Sequence, residues 1–483
     1  MQVRMNFGSA ETEVQASGAA IRAERPRSAR VRAPPLSKVK AQPAEAATIE
    51  GVIERLAAAF AAVAANKGAP GPDRQSIEQV RVHLPVLLAV LAEALLKGSY
   101  VPGDIRRVWI PKAGGGHRGL GIPNVIDRVV QEAMRQVLEP QFEPTFHPGS
   151  HGFRPGRSCH TAIRQASAYL EAGRAWVVDI DLKDFFNRVH HQRLLARLAL
   201  RVADQRLLAL IGKMLIARVV LPDGVVVSND EGVPQGGPLS PLLSNIVLDE
   251  LDWQLQSRGH CFVRYADDCN IYVHSERAGQ RVMASVCGFI EKRLRLAVNA
   301  DKSAVARPEE RHFLGFSLRR EPLDGEVEVQ LSKRSKERIE AKLVALTPRS
   351  WGSALTTCIT RINAYLGGWM GFFGICTAAV ERTLQGLDAH LRRRLRAIWL
   401  KQCKRKRSIV GKLIPLGATR RRAWREVYAG RRSVWALSHT WVVDRALRNS
   451  YWDALGLRSL LQRYRAQLSK MVVTAPTQHA FAW

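Results

Sequence analysis

Two aspartates, Asp267 and Asp268, stand side by side in "CFVRYADDCNIYV" (261–273), between two short runs of β-forming residues. The stretch reads as a hairpin with both carboxylates at its tip. An isolated Asp-Asp is ordinary turn chemistry, because Asp tolerates turn geometry and hydrogen-bonds its own backbone. A second acid pair adds to it: in "VVDIDLKDFF" (177–186), Asp179 and Asp181 lie two apart, so on a strand they point to one face. If that strand neighbours the hairpin, Asp181 joins Asp267 and Asp268 in one cluster. Three carboxylates at close quarters stay ionised only with cations beside them. Mg²⁺ is the hard, oxygen-seeking ion for such a set, with phosphate oxygens completing its shell. Two such ions roughly 3.5–4 Å apart would activate a 3′-hydroxyl and stabilise a leaving pyrophosphate. The chemistry implied is phosphoryl transfer.

These residues need a scaffold, and the chain supplies an alternating one. "RAWVVDIDLKDFF" (174–186) begins as a buried strand, judged by its β-branched and aromatic run. "DIRRVWIPKAGGGHRGLGIP" (104–123) reads as strand, glycine-rich turn and strand, and "VVLPDGVVVSN" (219–229) as a hairpin around Pro222-Asp223-Gly224. Helical spacing is expected near 50–68, up to about 96, from Val125 through Leu138, over 241–257 and near 276–297, with a further strand over 311–320. The middle of the chain is therefore a mixed α+β region. Beyond about residue 331 the pattern is mostly helical, with no repeat at a fixed period.

The 483 residues exceed one compact core and predict several domains. A net charge of +30 points to a polyanionic partner, nucleic acid before any acidic membrane surface. Apolar stretches such as "LPVLLAVLAEALL" (84–96) are too short and interrupted to span a bilayer, and no signal peptide is visible. The seven cysteines are scattered without a C-x-x-C pair, which argues against a zinc module or a disulfide framework and fits a reducing cytoplasm. Residues 1–48, rich in Ala, Arg, Pro and Ser, read as a disordered basic extension.

An ordered series of motifs resembles the reverse transcriptases encoded by group II introns, often called maturases. It runs through "NKGAPGPD" (66–73), "RVWIPKAGGGHRGLGIP" (107–123), "SHGFRPGRSCHTAI" (150–163), "DIDLKDFF" (179–186), "GVPQGGPLSPLLSNIVLDELD" (232–252), "YADD" (265–268) and "FLGFSL" (313–318). The resemblance implies an α+β right-hand polymerase whose palm carries an antiparallel sheet, followed by an all-α thumb or maturase region and a small basic helical DNA-binding segment. The expected boundaries are fingers 49–170, palm 171–325, thumb 326–412 and DNA-binding segment 413–483. It implies that Asp181, Asp267 and Asp268 are the catalytic, metal-binding carboxylates for two Mg²⁺ ions. Lys112 and Arg118 match residues that hold the triphosphate of a dNTP, Phe186 a steric gate against a 2′-hydroxyl, and Gln235 a residue near the templating pair. Asp184 and its neighbour Lys183 lie where the backbone faces the nucleotide. Gly236 and Gly237 would let backbone approach the primer–template closely. Lys302 would meet primer-side phosphates.

Between Arg392 and Arg432 there are sixteen Lys or Arg and one acid, Glu426. "HLRRRLRAIWLKQCKRKR" (390–407) sets Leu391, Leu395, Ile398 and Trp399 on one helical stripe, leaving a cationic face. Arg392, Arg393, Arg394, Arg396, Lys404, Arg405, Lys406, Arg407, Arg420, Arg421 and Arg422 are accordingly the candidate nucleic-acid contacts. Most of the eight tryptophans beyond residue 350 are expected to pack helices.

The reading that follows is an RNA-directed DNA polymerase that binds its parent intron RNA, helps it splice, and copies it at target DNA. The expected partners are that RNA, an RNA template with DNA primer, and target DNA, with no membrane. No endonuclease is expected after the last segment, which is similar to the IIC (bacterial C) branch and implies a bacterial protein at the nucleoid or in a ribonucleoprotein. The alternatives are a domesticated reverse transcriptase in defence or repair, and an RNA-binding splicing factor without polymerase activity.

Overall fold

A computed structural model describes residues 46–111, 115–321, 325–430 and 433–474. Residues 1–45 of the expected N-terminal extension, and Lys112, lie outside the described residues.

Ten strands form three sheets among the described residues. They are β1 (Ile105–Pro111), β2 (His117–Ile122), β3 (Trp176–Ile180), β4 (Val219–Val220), β5 (Val226–Val227), β6 (Cys261–Tyr265), β7 (Asp268–Val273), β8 (Ala304–Ala306), β9 (Phe316–Arg320) and β10 (Val327–Leu331). One sheet has the order β2-β1-β4-β5, a second β6-β7-β3-β8, and β9 pairs with β10. The second sheet is antiparallel throughout, with β3 bonded on its two sides to β7 and β8.

Period-2 alternation sends the two faces of that sheet into different cores. Val178, Ile180, Phe262, Cys269 and Ile271 join a core shared with the helices Val125–Phe142 and Ser240–Ser257. Val177, Val263 and Tyr272 join another, shared with the helix Cys159–Glu171, β9, β10 and the C-terminal helices. Because both cores run through one sheet, the described residues from Ala46 onward cluster as a single compact unit.

The helices expected at 125–138 and 241–257 form as Val125–Phe142 and Ser240–Ser257. The helix expected to residue 297 is α-helical over Glu276–Phe289, continues as a π turn Ile290–Leu294, and stops where Arg295 turns left-handed, φ 59°. The strand expected from residue 311 begins only at Phe316, because left-handed Leu314 and Gly315 close a turn in which Phe313 and Phe316 exchange backbone hydrogen bonds.

Beyond β10 the described chain is helical: Lys333–Leu346, Leu355–Phe373, Glu381–Gln402 and several shorter helices as far as Leu460–Thr474. Leu391, Leu395, Ile398 and Trp399 are buried as the stripe predicts. The stripe is wider than expected, since Arg394 and Arg396 are buried as well. Trp369, Trp399 and Trp452 are buried in this core, whereas Trp424 and Trp441 are exposed. Among the described residues no helix is long and apolar enough to cross a membrane, and all seven cysteines are free.

Candidate active site

The acidic hairpin is tight: Tyr265 pairs with Asp268 across β6 and β7, leaving Ala266 and Asp267 as the turn. Ala266 adopts φ 57°, a left-handed conformation that residues with a Cβ avoid. The register of β3 on β7 ends at Ile180 opposite Cys269, so Asp181 continues off β3 beside Asp268. The Asp181 amide donates to Ser303 Oγ at 3.0 Å and its carbonyl accepts from the Asn299 amide at 2.8 Å, which fixes the segment after β3.

Asp179 and Asp181 share a strand face but have different neighbours. Arg311 donates two hydrogen bonds to Asp179 Oδ2, at 2.9 and 2.6 Å. Asp181 faces Lys302, whose Nζ stands 3.6 Å from Oδ2 on a mostly exposed side chain. Asp268 is open to solvent on one side. Even so, enclosure by protein, followed by repulsion from Asp267, Asp179 and Asp181, pushes its carboxyl up to about 7. Asp267 is raised in the same way, by enclosure first and by Asp181, against the opposing pull of Arg118 and Arg264.

Such carboxylates are short of positive charge, and oxygen donors of this kind suit Mg²⁺. Among the described residues no three His, Cys, Asp or Glu side chains form a ready-made metal cage.

Of the remaining nucleotide-site candidates, Phe186 and Gln235 line one cavity against the β2-β1-β4-β5 sheet, whereas Arg118, Asp184 and Lys183 are not among its lining residues. Arg118 is exposed on β2, and its charge acts on both Asp267 and Asp268. Phe185 is 2% exposed and belongs to the core. Phe186, edge-on to it at 5.2 Å, instead lines a cavity of about 240 Å³ together with Gln235, Gly121, Arg107 and Trp109. Asp184 is exposed and left-handed, φ 49°, at the start of the 3-10 turn Phe185–Asn187, with Lys183 exposed beside it.

Gly236 and Gly237 differ from expectation: the space a side chain would take is filled by the protein itself. A Cβ on Gly236 would lie 2.4 Å from the Gly121 carbonyl, and one on Gly237 2.2 Å from Gln131 Oε1. The Gly121 amide donates to the Gln235 carbonyl at 2.7 Å. These glycines therefore dock the "PQGG" loop onto β2 and the helix Val125–Phe142.

The basic C-terminal candidates divide by burial. Lys404, Arg405, Lys406, Arg407, Arg420, Arg421 and Arg422 are exposed, with Arg422 stacked on Trp441. Arg394 turns inward, Nε to Thr347 Oγ1 at 2.5 Å and Nη2 to the Thr347 carbonyl at 2.7 Å. Arg396 pairs with Asp444 at 2.6 Å. Both serve the helix packing, a role the charge run gave no hint of. Arg392 and Arg393 are half-buried and line a basin of about 670 Å³ with Arg448, His390 and His439. The basin shares no residue with the carboxylate site.

Two residues that sequence reasoning missed are Arg311 and Arg264. The sole signal for Arg264 was a cation set within an apolar strand run, "CFVRY".

Comparison with known proteins gives two family matches. Residues 110–318 match "Reverse transcriptase (RNA-dependent DNA polymerase)" and residues 336–413 match "Group II intron, maturase-specific domain". Protein YkfC of Escherichia coli K12 is 35% identical over 340 residues, 62% of this chain and 89% of that protein. The group II intron-encoded protein LtrA of Lactococcus lactis is 41% identical over 163 residues, 34% of this chain. A putative COX1/OXI3 intron 2 protein of Saccharomyces cerevisiae is 28% identical over 276 residues, 45% of this chain. The matches span only 27% and 32% of those two intron-encoded proteins. A solved structure titled partial Cas6-RT-Cas1--Cas2 complex is similar at 24% identity, covering 50% of this chain and 42% of its own, with a TM-score of 0.32.

Proposed function

This chain belongs to the reverse transcriptases that carry a group II intron maturase-specific domain, and we propose that it polymerises DNA on an RNA template, binds its parent intron RNA and assists that RNA's splicing. The observation that carries the polymerase half is the meeting of Asp181 with the Asp267–Asp268 turn at the end of one antiparallel sheet. The matched maturase-specific domain carries the splicing half.

Asp181, Asp267 and Asp268 would hold two Mg²⁺ ions. When bound, these supply the charge that activates a primer 3′-hydroxyl and stabilises a leaving pyrophosphate. The protein's own side chains do the rest. Arg118, with Lys112 six residues before it in sequence, neutralises and orients the triphosphate of an incoming dNTP. Phe186 sets its ring where a 2′-hydroxyl would project, and Gln235 contacts the nucleotide pair. Asp184 and Lys183 frame the nucleotide through their backbone. Lys302, beside Asp181, meets primer-side phosphate. Fingers over 49–170, palm over 171–325, thumb over 326–412 and a DNA-binding segment from 413 follow from this reading. In the same reading, target DNA receives the copy.

The two halves are separable by experiment. Splicing of RNA transcribed from the gene's own flanks is measured at low Mg²⁺ with wild-type protein and with Asp267→Asn/Asp268→Asn. dNTP incorporation on an RNA template–DNA primer is followed in parallel. Both proteins are expected to accelerate splicing, and the wild type alone to make cDNA. Absence of Mg²⁺-dependent cDNA from the wild type removes the polymerase half. cDNA without any effect on splicing reduces the reading to a domesticated reverse transcriptase.

A further inference from the structure

Arg264 lies directly beneath the acidic turn, with no exposed surface. All five of its N–H donors are used. Nε and one Nη2 hydrogen reach the two oxygens of Asp252, at 2.7 and 2.6 Å. The other Nη2 hydrogen reaches Ser150 Oγ at 2.8 Å, while Nη1 donates to Asn245 Oδ1 at 3.1 Å and to the Ala266 carbonyl at 2.9 Å. Its backbone is tied as well: the Arg264 amide donates to Gly149 O and its carbonyl accepts from the His151 amide, each at 2.8 Å. The neighbouring segment closes on the same turn. Asn245 Nδ2 holds the Gly152 carbonyl at 2.9 Å, and a Cβ on Gly152 would stand 2.3 Å from the Ala266 amide nitrogen.

One guanidinium thus joins three stretches distant in sequence: residues 149–152, the helix Ser240–Ser257, and the turn between β6 and β7. A buried ion pair is weak evidence of stabilisation, since desolvation offsets its attraction. What a five-donor planar fork supplies is geometry. Here the geometry fixes the carbonyl of Ala266, the left-handed residue immediately before Asp267. A strained backbone conformation persists where its surroundings over-determine it.

We propose that Arg264 is a positioning residue for polymerisation, holding the Ala266–Asp267 turn so that both hairpin carboxylates keep one fixed geometry toward the Mg²⁺ ions they would hold. Asp252 pairs its charge, and beyond the pull it still exerts on Asp267 it acts through hydrogen-bond direction. This rests on the reading of Asp181, Asp267 and Asp268 as the reaction centre.

The test compares wild type with Arg264→Met/Asp252→Leu, which removes both charges together and leaves neither buried alone. The single variant Arg264→Lys keeps the charge but has only three donors. Should the double variant fail to fold, Arg264→Lys decides the question, and the reverse holds equally. Each folded protein is examined for template–primer binding, kcat and KM for dTTP on a poly(rA)–oligo(dT) substrate, and Mn²⁺ binding by electron paramagnetic resonance. Asp267→Asn serves as the metal-site control.

The expected result is template–primer affinity and KM within about twofold of wild type, with kcat lowered about 10- to 100-fold. Mn²⁺ affinity is expected to weaken about tenfold. A residue that only supports the fold would change the melting temperature and yield, and the folded fraction would keep wild-type kcat and Mn²⁺ affinity. That result overturns the proposal. If wild-type Mn²⁺ binding is indifferent to Asp267→Asn, the metal reading fails separately, and the comparison of kcat still decides the role of Arg264.

Discussion

Asp249 lies one turn before Asp252 on the helix Ser240–Ser257. Its Oδ1 is buried without a hydrogen-bond partner among the described residues, and its Oδ2 stands 3.5 Å from Arg197. Burial, then repulsion from Asp252, pushes its carboxyl up to about 6. A raised acid binds its proton more tightly folded than unfolded, so its contribution to stability is full below about pH 4 and is lost as pH rises through 6. Asp249→Asn removes the ionisation. Urea unfolding of wild type and variant at pH 5 and pH 8 is expected to show the variant gaining about 1–3 kcal/mol relative to wild type at the higher pH. An unchanged difference between the two pH values would show that Arg197 already compensates the charge. The same close reading separates Asp179 from Asp181. Their two-residue spacing put both on one face, but the sequence carried no sign that Arg311, 132 positions beyond Asp179, occupies one of them.

At the level of elements, what was legible followed from local pattern, and what was not depended on distant contacts. The alternating runs of β3, β6 and β7 and the period of the helices Val125–Phe142 and Ser240–Ser257 lie within their own windows, so both could be read directly. The premature start expected for β9 had a different origin: "RHFLGFSLRR" is apolar enough for one strand, and only left-handed Leu314 and Gly315 divide it. Gly236 was expected to permit close backbone approach, and the close approach the structure shows is that of β2. Of the candidate site, the acidic hairpin was legible because its residue types are costly to place together. The arginine beneath it was not, because its five acceptors come from three separate segments. The packing of residues 149–152 on the turn predicts that Gly152→Ala will push the Ala266 amide away from its seat. With 2.3 Å between the added Cβ and that nitrogen, backbone must move. Polymerisation is expected to fall about 10- to 100-fold, the order that an ångström of misplacement produces. RNA binding should stay unchanged, because the basic C-terminal helices are untouched. Full activity in this variant would mean that the turn tolerates displacement.

For the whole molecule, the +30 charge supports two different kinds of work, and burial distinguishes them. A cation that neutralises a phosphate releases a counterion, so removing it lowers the dependence of affinity on salt by nearly one unit of slope. A cation bonded inward does no such thing; removing it strands carbonyls in the core. Arg405 and Arg407 are exposed, whereas Arg394 spans from the helix Glu381–Gln402 to Thr347. Binding of an RNA template–DNA primer by Arg405→Ala/Arg407→Ala, measured across a series of salt concentrations, is therefore expected to show a slope shallower by about 1–2 with the melting temperature held. Arg394→Ala is expected to keep the wild-type slope while losing about 2–4 kcal/mol of stability, as loss of a buried, charge-assisted network does. If the exposed pair leaves the slope unchanged, the polyanion lies elsewhere, and the basin flanked by Arg392, Arg393 and Arg448 is the next surface to vary, because its guanidiniums outnumber its single acid, Asp444. If Arg394→Ala instead lowers the slope, its inward hydrogen bonds are exchanged for phosphate on binding, and the helix Glu381–Gln402 must shift to allow it.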